Sequence, residues 1–506
     1  MAGKLLIKNS LVGIIQFVLT AILTLISVPV FIHQLGMELY GIFAIISVIG
    51  NLNLLANFGL NGALLVYIAK QGKCMESDHD IIVTQIIMII LTLVFAMLTI
   101  IFCDFIIQKI FSIPARFVPE AKNLLIYLVF ANSLLLLGQT YSAILDAKQK
   151  IYISNICQFI YSLIYWGGMI IAVSMGGQLT MIGMIALLSA IAWFLLVMIS
   201  SRRIWGKLEF NGVITGFKVT AKKQLKYGSK IYISGLAGLM FEPLSKILLS
   251  NFVGLNAVAL FEIGSKIRGQ ISGILTKALY PVYPYIANTP KSVLLNKKLF
   301  NFSKFIQLIV IPLSIVLAFV MTVLLKLWLN PVDLFQTSVF VITMSVSFLF
   351  FLPPVLIIYQ YLAAKNMADR NIWVQLSSGI VNVIIFFALL NKFGIYSILF
   401  SNTIALISSY FLCYYFQFKY LGANFKEEMP FYIKLLIFTL ICTLTCVFVR
   451  YFLPIGLWEL VIYPIVIGFM FLLFVRLQKL VSDDDLELYF GSMPFLRSSL
   501  TRLLIA

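Results

Sequence analysis

Long apolar stretches alternate with short polar ones along almost the whole chain. A helix needs about 20 mostly apolar residues to cross roughly 30 Å of hydrocarbon, and fourteen stretches are long enough. The apolar runs are continuous rather than alternating, which excludes the strands of a membrane β-barrel. The pattern predicts transmembrane helices, numbered here as spans 1 to 14, over residues 9–32, 40–69, 81–107, 124–145, 151–173, 179–200, 225–252, 257–286, 300–328, 335–362, 372–390, 395–418, 431–452 and 457–477.

Polar residues in the first two spans fall on one side of each predicted helix. Such a face must turn away from lipid, toward other helices or a wet cavity. Hydrogen bonding between helices explains these side chains as well as a sugar-binding surface does. They are Asn9, Gln16, Thr20, Thr24 and Ser27 in span 1, and Ser47, Asn53, Asn57 and Asn61 in span 2.

Charged residues concentrate in spans 7 and 8. One narrow face of span 8 carries Glu262, Lys266, Gln270 and Lys277. In span 7 the polar and charged residues lie on a face that shifts gradually around the helix. A charge at the centre of the bilayer costs about 2.5–3.5 kcal/mol even on the lenient insertion scale, so these residues need an explanation. The embedded ionisable residues are Lys230, Lys246, Lys266, Arg268 and Lys277 with the acids Glu242 and Glu262.

Two interpretations of the embedded charges are open. In the first, each glutamate pairs with the lysine four residues later, and other side chains reach for the interfaces. In the second, the charges line a basic cavity that attracts an anionic substrate, for which phosphate is the natural chemistry. There Lys266 and Arg268 make the first contacts, while Lys277 and Lys230 lie nearer the cytoplasmic entrance. The full candidate substrate-binding set is Lys266, Arg268, Lys277, Lys230, Lys246, Glu262, Glu242, Gln270, Asn53, Asn57, Gln16 and Thr20.

The composition supports a membrane protein. Of the 506 residues 61% are hydrophobic and 11% are charged, against about 25% charged residues in a soluble domain. These values exclude a soluble enzyme, a disordered chain and a disulfide-stapled module. The six cysteines lack the spacing of a disulfide framework or a zinc site, and Cys442 and Cys446 are interpreted as small buried hydrophobic residues.

The net charge of +18 fits the loops of a membrane protein better than a nucleic-acid surface, because little soluble surface is available. With the N-terminus in the cytoplasm, 26 of the 37 Lys and Arg residues fall in inner loops and tails, and 6 fall in outer loops. Cytoplasmic loops normally carry such an excess. We therefore expect a multi-pass membrane protein with both termini in the cytoplasm.

The chain also carries a weak internal repeat. A shift of 218 residues aligns residues 35–43 with 253–261, so that Gly36 meets Gly254 and Phe43 meets Phe261. Six predicted helices separate the copies, which gives a parallel repeat; chance similarity of short glycine turns is the alternative. We predict an all-α polytopic membrane protein with about 14 transmembrane helices: two six-helix lobes related by this repeat, plus two C-terminal helices. The predicted division is an N-terminal lobe 1–202, a cytoplasmic linker 203–224, a C-terminal lobe 225–419, helices 13 and 14 over 420–480, and a cytoplasmic tail 481–506.

Motifs in both copies resemble the repeat-unit (O-antigen and capsule) polysaccharide flippases of the multidrug/oligosaccharidyl-lipid/polysaccharide exporter superfamily. They are Lys8-Asn9-Ser10, Pro29, Leu35-Gly36, Tyr40-Gly41 and Asn57-Phe58-Gly59-Leu60 in the first copy, and Phe252-Val253-Gly254, Phe261, Gly264 and Lys266 in the second. The resemblance implies two lobes that open alternately to either side and a polyprenyl-diphosphate-linked sugar repeat unit as substrate. Many members have an acid where Asn57 or Lys246 stands here, so ion coupling at those positions is not carried over.

The resemblance implies no cofactor, although H+ or Na+ could serve as a coupling ion. Its implied partners are the polyprenyl-diphosphate-linked glycan, membrane lipids, and a polysaccharide polymerase with chain-length machinery, and no nucleic acid. Three other functions are open: a cell-wall lipid precursor flippase, a drug/cation antiporter of the same superfamily, and a membrane polysaccharide polymerase or ligase. The sequence lacks the HExxH, P-loop, Rossmann and nucleophile-elbow motifs, so no catalytic residue or metal ligand is predicted, and we do not expect an enzyme.

Overall fold

The computed structural model describes residues 2–48, 59–238, 241–279, 286, 293–365, 367–421, 425–452 and 456–481. Within these ranges the chain is helical and has no β-strand. The helices are α1 (Ala2–Ile46), α2 (Leu60–Gln71), α3 (Met75–Ile101), α4 (Val118–Ala147), α5 (Ile151–Ser162), α6 (Gly168–Ser174), α7 (Leu179–Trp205), α8 (Val213–Gly238), α9 (Glu242–Phe252), α10 (Leu255–Leu279), α11 (Val293–Trp328), α12 (Leu334–Ala364), α13 (Ala368–Phe393), α14 (Ser397–Leu421), α15 (Phe425–Phe452) and α16 (Glu459–Leu477).

Every predicted span coincides with one or two of these helices, which confirms the all-α polytopic fold. Ten stretches of the described residues are long and apolar enough to cross a membrane, and one of them, Arg370–Tyr420, contains both span 11 and span 12. Spans 2, 7 and 8 give no such stretch. Part of span 2 lies outside the described residues, and α8 to α10 carry the embedded charges.

Apolar side chains face outward along these helices, as lipid contact requires. On α3 the exposed fractions of Leu93, Met97 and Ile101 are 64%, 62% and 62%. These residues are four positions apart, so they form one continuous helix face. An apolar face of this kind is stable in lipid, whereas a soluble monomer rarely exposes a large apolar patch.

Within the described part of span 7 the structure shows two helices, with the turn residue Phe241 directly before the second. Helix α8 ends at Gly238 and α9 begins at Glu242. Pro243 occupies the first turn of α9, where its missing N–H costs nothing, whereas in the interior of a longer helix its ring would clash with the preceding turn.

Most of the predicted linker 203–224 is helical. Helix α7 continues to Trp205 and α8 begins at Val213, so only residues 206–212 are non-helical.

The two glycines paired by the internal repeat share an unusual backbone conformation. The φ angle is 81° at Gly36, which breaks α1 in two, and 121° at Gly254, which precedes α10. Positive φ is accessible to glycine at little cost, so both copies use glycine to redirect the chain at a helix junction. Nearby Gly41 meets α10 closely, since a Cβ there would lie 2.2 Å from the backbone oxygen of Leu255.

The chain divides into two compact units. The first comprises residues 1–266 and 389–398, and the second residues 267–388 and 399–506. In the first unit α4 packs on α7, where a Cβ on Gly138 would lie 2.3 Å from the ring of Trp193. In the second, Cys442, Cys446 and Tyr463 are fully buried in the core that α11, α15 and α16 share. The two cysteines are free thiols, which confirms their interpretation as small buried hydrophobic residues.

Two aspartates in the first two turns of α3, Asp78 and Asp80, anchor the segment that joins α7 to α8. The buried Asp78 carboxylate accepts hydrogen bonds from Lys73 Nζ at 2.7 Å, Trp205 Nε1 at 2.6 Å and the backbone N–H of Glu209 at 3.1 Å. Asp80 accepts from Lys223 Nζ and Gln224 Nε2, both at 3.2 Å. The end of α7 and the beginning of α8 are therefore held against the same helix turn.

The charge of Lys223 is stabilised at this contact. Burial by itself lowers the pKa of Lys223, but its hydrogen bonds to the carboxylates of Glu76 and Asp80 and their negative charges outweigh that effect. The pKa of Lys223 is therefore raised above its usual value, and the ion pairs at 2.9 Å and 3.2 Å persist at neutral pH.

We expect Asp78→Ala to lower the free energy of unfolding by about 3 kcal/mol, because it leaves the buried Trp205 N–H and the part-buried backbone N–H of Glu209 without an acceptor. Equilibrium unfolding in detergent titrated with SDS measures this change, and faster tryptic cleavage after Lys207 reports the released loop. Asp104→Ala is the matched control, since Asp104 is 63% exposed and, within the described ranges, its ion pair is with Lys122 at 3.2 Å; exposed pairs contribute about 0–1 kcal/mol. Equal losses in the two variants would contradict the anchoring role.

Candidate functional site

Helices α9 and α10 bring together four charged side chains, called here the α9–α10 charge cluster: Glu242, Lys246, Glu262 and Lys266. Lys246 Nζ lies 2.6 Å from Glu262 Oε2 and 3.4 Å from Glu242 Oε1. Lys266 Nζ lies 3.2 Å from Glu262 Oε1. Glu262 thus bridges two lysines that come from different helices.

Burial divides the cluster into an inner pair and two outer members. The side chains of Lys246 and Glu262 are each 5% exposed, whereas those of Lys266 and Glu242 are 25% and 37% exposed. Two lysines and two glutamates give the cluster a net charge of zero, which reduces the cost of placing ions among apolar helices. The inner pair therefore holds α9 against α10, and the more accessible ammonium belongs to Lys266.

The sequence anticipated two of these three ion pairs. Lys246–Glu242 and Lys266–Glu262 are the predicted pairs four residues apart. The shortest one, between Lys246 and Glu262, connects α9 to α10, and helical periodicity within one span gives no signal for it. The buried charges are therefore paired, as the first interpretation expects. The second interpretation, a basic cavity that attracts an anionic substrate, stays a prediction.

Lys266 also contacts an aromatic ring that the sequence analysis did not single out. Its Nζ lies 5.0 Å from the ring centroid of Trp166, in the π-helical turn between α5 and α6. A cation over an indole face is attracted by the ring quadrupole. Glu262 and Trp166 together orient this ammonium, and no periodic pattern in span 5 distinguishes Trp166 from its aromatic neighbours.

Two other candidates on α10 fall in the second compact unit. Arg268 is 6% exposed, and its guanidinium carbon lies 5.7 Å from the ring centroid of Phe348. Gln270 is half-buried. Direct substrate contact by either residue stays a prediction.

The polar candidates on α1 form hydrogen bonds within their own helix. Gln16 Nε2 donates to Thr20 Oγ1 at 3.1 Å, and both side chains are half-buried. Further along, Thr24 Oγ1 donates to the carbonyl of Thr20 at 2.8 Å. These bonds satisfy part of the polar stripe without another helix, so a sugar-binding role for Gln16 and Thr20 stays a prediction.

Four candidates cannot be placed as side chains. Asn53 and Asn57 lie outside the described residues, and for Lys230 and Lys277 only the helical backbone of α8 and α10 is described. Asn61, which shares a face of span 2 with Asn53 and Asn57 in the sequence pattern, is described. Its Nδ2 donates a hydrogen bond to Gln139 Oε1 at 2.7 Å, which joins α2 to α4. Within the described ranges no group of three or more His, Cys, Asp or Glu side chains is arranged to hold a metal ion.

A family model described as "Polysaccharide biosynthesis protein" matches residues 6–289 of the chain, more than half of its length. The matched region includes α1 to α10 and therefore the whole α9–α10 charge cluster. No curated protein matches the chain at the significance required.

Solved structures of membrane transporters share the fold. The structure described as the lipid II flippase MurJ in an inward closed conformation is 16% identical, with a TM-score of 0.74, and covers 96% of this chain and 99% of its own. An inward-facing multidrug resistance MATE family transporter of the MOP superfamily is 14% identical, with a TM-score of 0.63 and coverages of 81% and 98%. A MOP superfamily transporter from Pyrococcus furiosus, whose description reports reverse polarity of the binding pocket, is 12% identical, with a TM-score of 0.52 and coverages of 83% and 97%.

Proposed function

The chain belongs to the polysaccharide biosynthesis protein family, and we propose that it is a flippase for a polyprenyl-diphosphate-linked oligosaccharide repeat unit. It moves this lipid-linked glycan from the cytoplasmic to the outer leaflet of the bacterial inner membrane by alternating access. The sugar and diphosphate pass through a hydrated path inside the protein, while the polyprenyl tail stays in the bilayer. Membership of the family and the transporter fold support this proposal.

The observation that carries the proposal is the accessible ammonium of Lys266 beside a neutralised pair. Pairing with Glu262 uses one donor direction, and a lysine ammonium has three N–H donors. The remaining donors suit the oxygens of a diphosphate, because charge-assisted hydrogen bonds are roughly twice as strong as neutral ones. The inner pair Lys246–Glu262 holds the group in place without adding net charge.

The other candidates have supporting roles in the proposal. Arg268, Lys277 and Lys230 add positive charge that draws in the diphosphate, and Gln270 contributes a neutral amide. Gln16, Thr20, Asn53 and Asn57 meet sugar hydroxyls. The proposal also includes a coupling ion, H+ or Na+, and contacts with a polysaccharide polymerase and its chain-length machinery. No residue is assigned to these roles.

Translocation of a lipid-linked cell-wall precursor is a second candidate function. The structure that supports it bears the description of a lipid II flippase, and it covers nearly the whole chain. Both substrates are diphosphate-linked, so the α9–α10 charge cluster suits either. Drug/cation antiport by a member of the same superfamily is the third candidate, and the vesicle assay below separates it from the two flippase functions.

Vesicles containing the purified protein discriminate these functions. A fluorescent polyprenyl-diphosphate repeat unit, a fluorescent lipid-linked cell-wall precursor and a cationic dye are offered in turn, and a membrane-impermeant quencher reports the sidedness of each. We expect sidedness to change for the repeat unit. Product formation without a change of sidedness would indicate an enzyme, and uptake of the dye alone would indicate an antiporter. In the native host, deletion should leave lipid-linked repeat units in the cytoplasmic leaflet.

A further inference from the structure

A cavity of about 510 Å³ opens where α4 and α7 end. We call it the basic-end pocket, because Lys148, Lys150, Arg202, Arg203 and Lys207 all lie around these helix ends. The candidate membrane stretches finish here, at Ala147 and Trp205, so the pocket lies near the boundary between hydrocarbon and water. Its lining includes Tyr141, Ile144, Arg202, Trp205, Lys207 and Phe210, and it shares no residue with the α9–α10 charge cluster.

The pocket carries positive charge that the protein does not neutralise. Arg202 and Lys207 are exposed, and among the described residues neither forms an ion pair with a carboxylate. Lys148 Nζ adds a third cation, 4.6 Å from the ring centroid of Trp205. The buried Asp78 carboxylate is already bonded to Lys73 and to Trp205, and the exposed acid beside the lining, Glu209, leaves the three cations in excess. The pocket therefore suits an anionic group.

Exposed apolar side chains continue from the pocket along the first turns of α8. The exposed fractions of Phe210, Ile214 and Val219 are 67%, 92% and 74%. Exposed lysines, Lys218 and Lys222, alternate with them. Large apolar residues interleaved with lysines are typical of a segment that lies at a membrane surface, and burying them in acyl chains is favourable at about 25 cal/mol per Å².

We propose that the basic-end pocket binds the phosphate headgroup of an anionic phospholipid, whose acyl chains cover Phe210, Ile214 and Val219. The positive charge of the pocket favours a phosphate group in a headgroup of net negative charge. The exposed apolar side chains of Phe210, Ile214 and Val219 favour a lipid over a soluble anion. Basic pockets between transmembrane helices bind anionic lipid headgroups by the same physics. This lipid is a bound ligand at a second site and not the transported cargo.

The anchored linker gives the site its shape. Asp78 fixes Trp205 and the backbone of Glu209, and the Lys73 ammonium bridges Asp78 to the carbonyl oxygen of Lys207 at 2.7 Å. The backbone that carries Lys207 is therefore placed by buried contacts, while its charged end is free to meet the ligand.

Native mass spectrometry of the full chain in neutral detergent, titrated with phosphatidylglycerol or phosphatidylcholine, tests the proposal. We expect preferential binding of phosphatidylglycerol, and a loss of about 25-fold in its affinity in Arg202→Gln/Lys207→Gln, at about fivefold per lost surface charge. Arg203→Gln/Lys150→Gln is the matched control, because it removes the same charge beside the pocket without changing its lining. The control should lose less than about threefold.

Three outcomes would overturn the proposal: equal affinity for the two lipids, equal loss in both double variants, or displacement of the lipid by glycerol phosphate at a similar concentration, which would indicate a soluble anion. Unfolding in SDS checks that both double variants remain folded. Because the assay measures lipid binding and not transport, its failure leaves the flippase proposal standing, and failure of transport leaves the lipid site standing.

Discussion

Replacement of Lys266 by alanine is expected to lower the initial rate of glycan translocation at least tenfold while leaving folding intact. The variant removes the accessible ammonium of the α9–α10 charge cluster, but the inner pair Lys246–Glu262 stays bonded at 2.6 Å. A hydrogen bond to a charged group contributes about 1.5–3 kcal/mol, which corresponds to about 10- to 100-fold in rate if it is made to the moving diphosphate. The vesicle assay with a fluorescent repeat unit measures this rate.

Two further variants make the Lys266 prediction specific. Lys266→Arg keeps the positive charge and should retain part of the rate, whereas a residue that matters only for packing on Trp166 would tolerate neutral substitutes equally well. Lys109→Ala removes one exposed positive charge elsewhere in the same unit and should translocate at the normal rate. Normal translocation by Lys266→Ala would remove this residue from the substrate site.

Glu262→Gln is expected to give the largest loss of stability, about 3–5 kcal/mol of the free energy of unfolding. Glu262 is the carboxylate that binds both Lys246 and Lys266, and its side chain is 5% exposed. Its neutralisation leaves Lys246 buried with a single, more distant partner, Glu242 at 3.4 Å. Equilibrium unfolding in detergent titrated with SDS measures the difference.

The matched control for this prediction is Glu38→Gln. Glu38 is 38% exposed and pairs with the exposed Arg116, and exposed pairs contribute about 0–1 kcal/mol. In addition, Glu262→Gln/Lys246→Met should be less destabilised than the sum of the two single variants, because the double change leaves no unpaired inner charge. Strict additivity, or equal losses in Glu262→Gln and Glu38→Gln, would show that the inner pair does not hold α9 against α10.

The charge cluster joins stability and function in one arrangement. Lys246 and Glu262 neutralise each other, so the membrane-embedded helices can carry ionic groups at a tolerable cost. Lys266 is oriented by Glu262 and Trp166 and keeps donors to spare. In the proposed function, a substrate phosphate binds a group that is already in place, which lowers the entropic cost of binding.

The linker between α7 and α8 shows how a sequence can underestimate structure. Its many polar and basic residues predicted a cytoplasmic linker over 203–224, and most of this segment is helical. Gln224 explains why: it is fully buried and bonded to Asp80 and Thr84. In the sequence, a buried polar residue that is hydrogen-bonded to a partner far along the chain looks the same as one that faces water. Only the tertiary contacts distinguish the two cases.

The amino-acid sequence by itself determined the class of protein, the positions of most of the helices and the concentration of charge in spans 7 and 8. These follow from hydrophobicity and helical periodicity, which act over one or a few turns. It also located Gly36 and Gly254 as equivalent turns. Only the tertiary structure decided that Lys246 pairs most closely with Glu262 and that Trp166 lies beneath Lys266. The tertiary structure likewise decided the hydrogen bond between Trp205 and Asp78, which are 127 positions apart in the sequence. The reason is physical: partners on different helices are chosen by how those helices pack, and packing is a property of the whole chain.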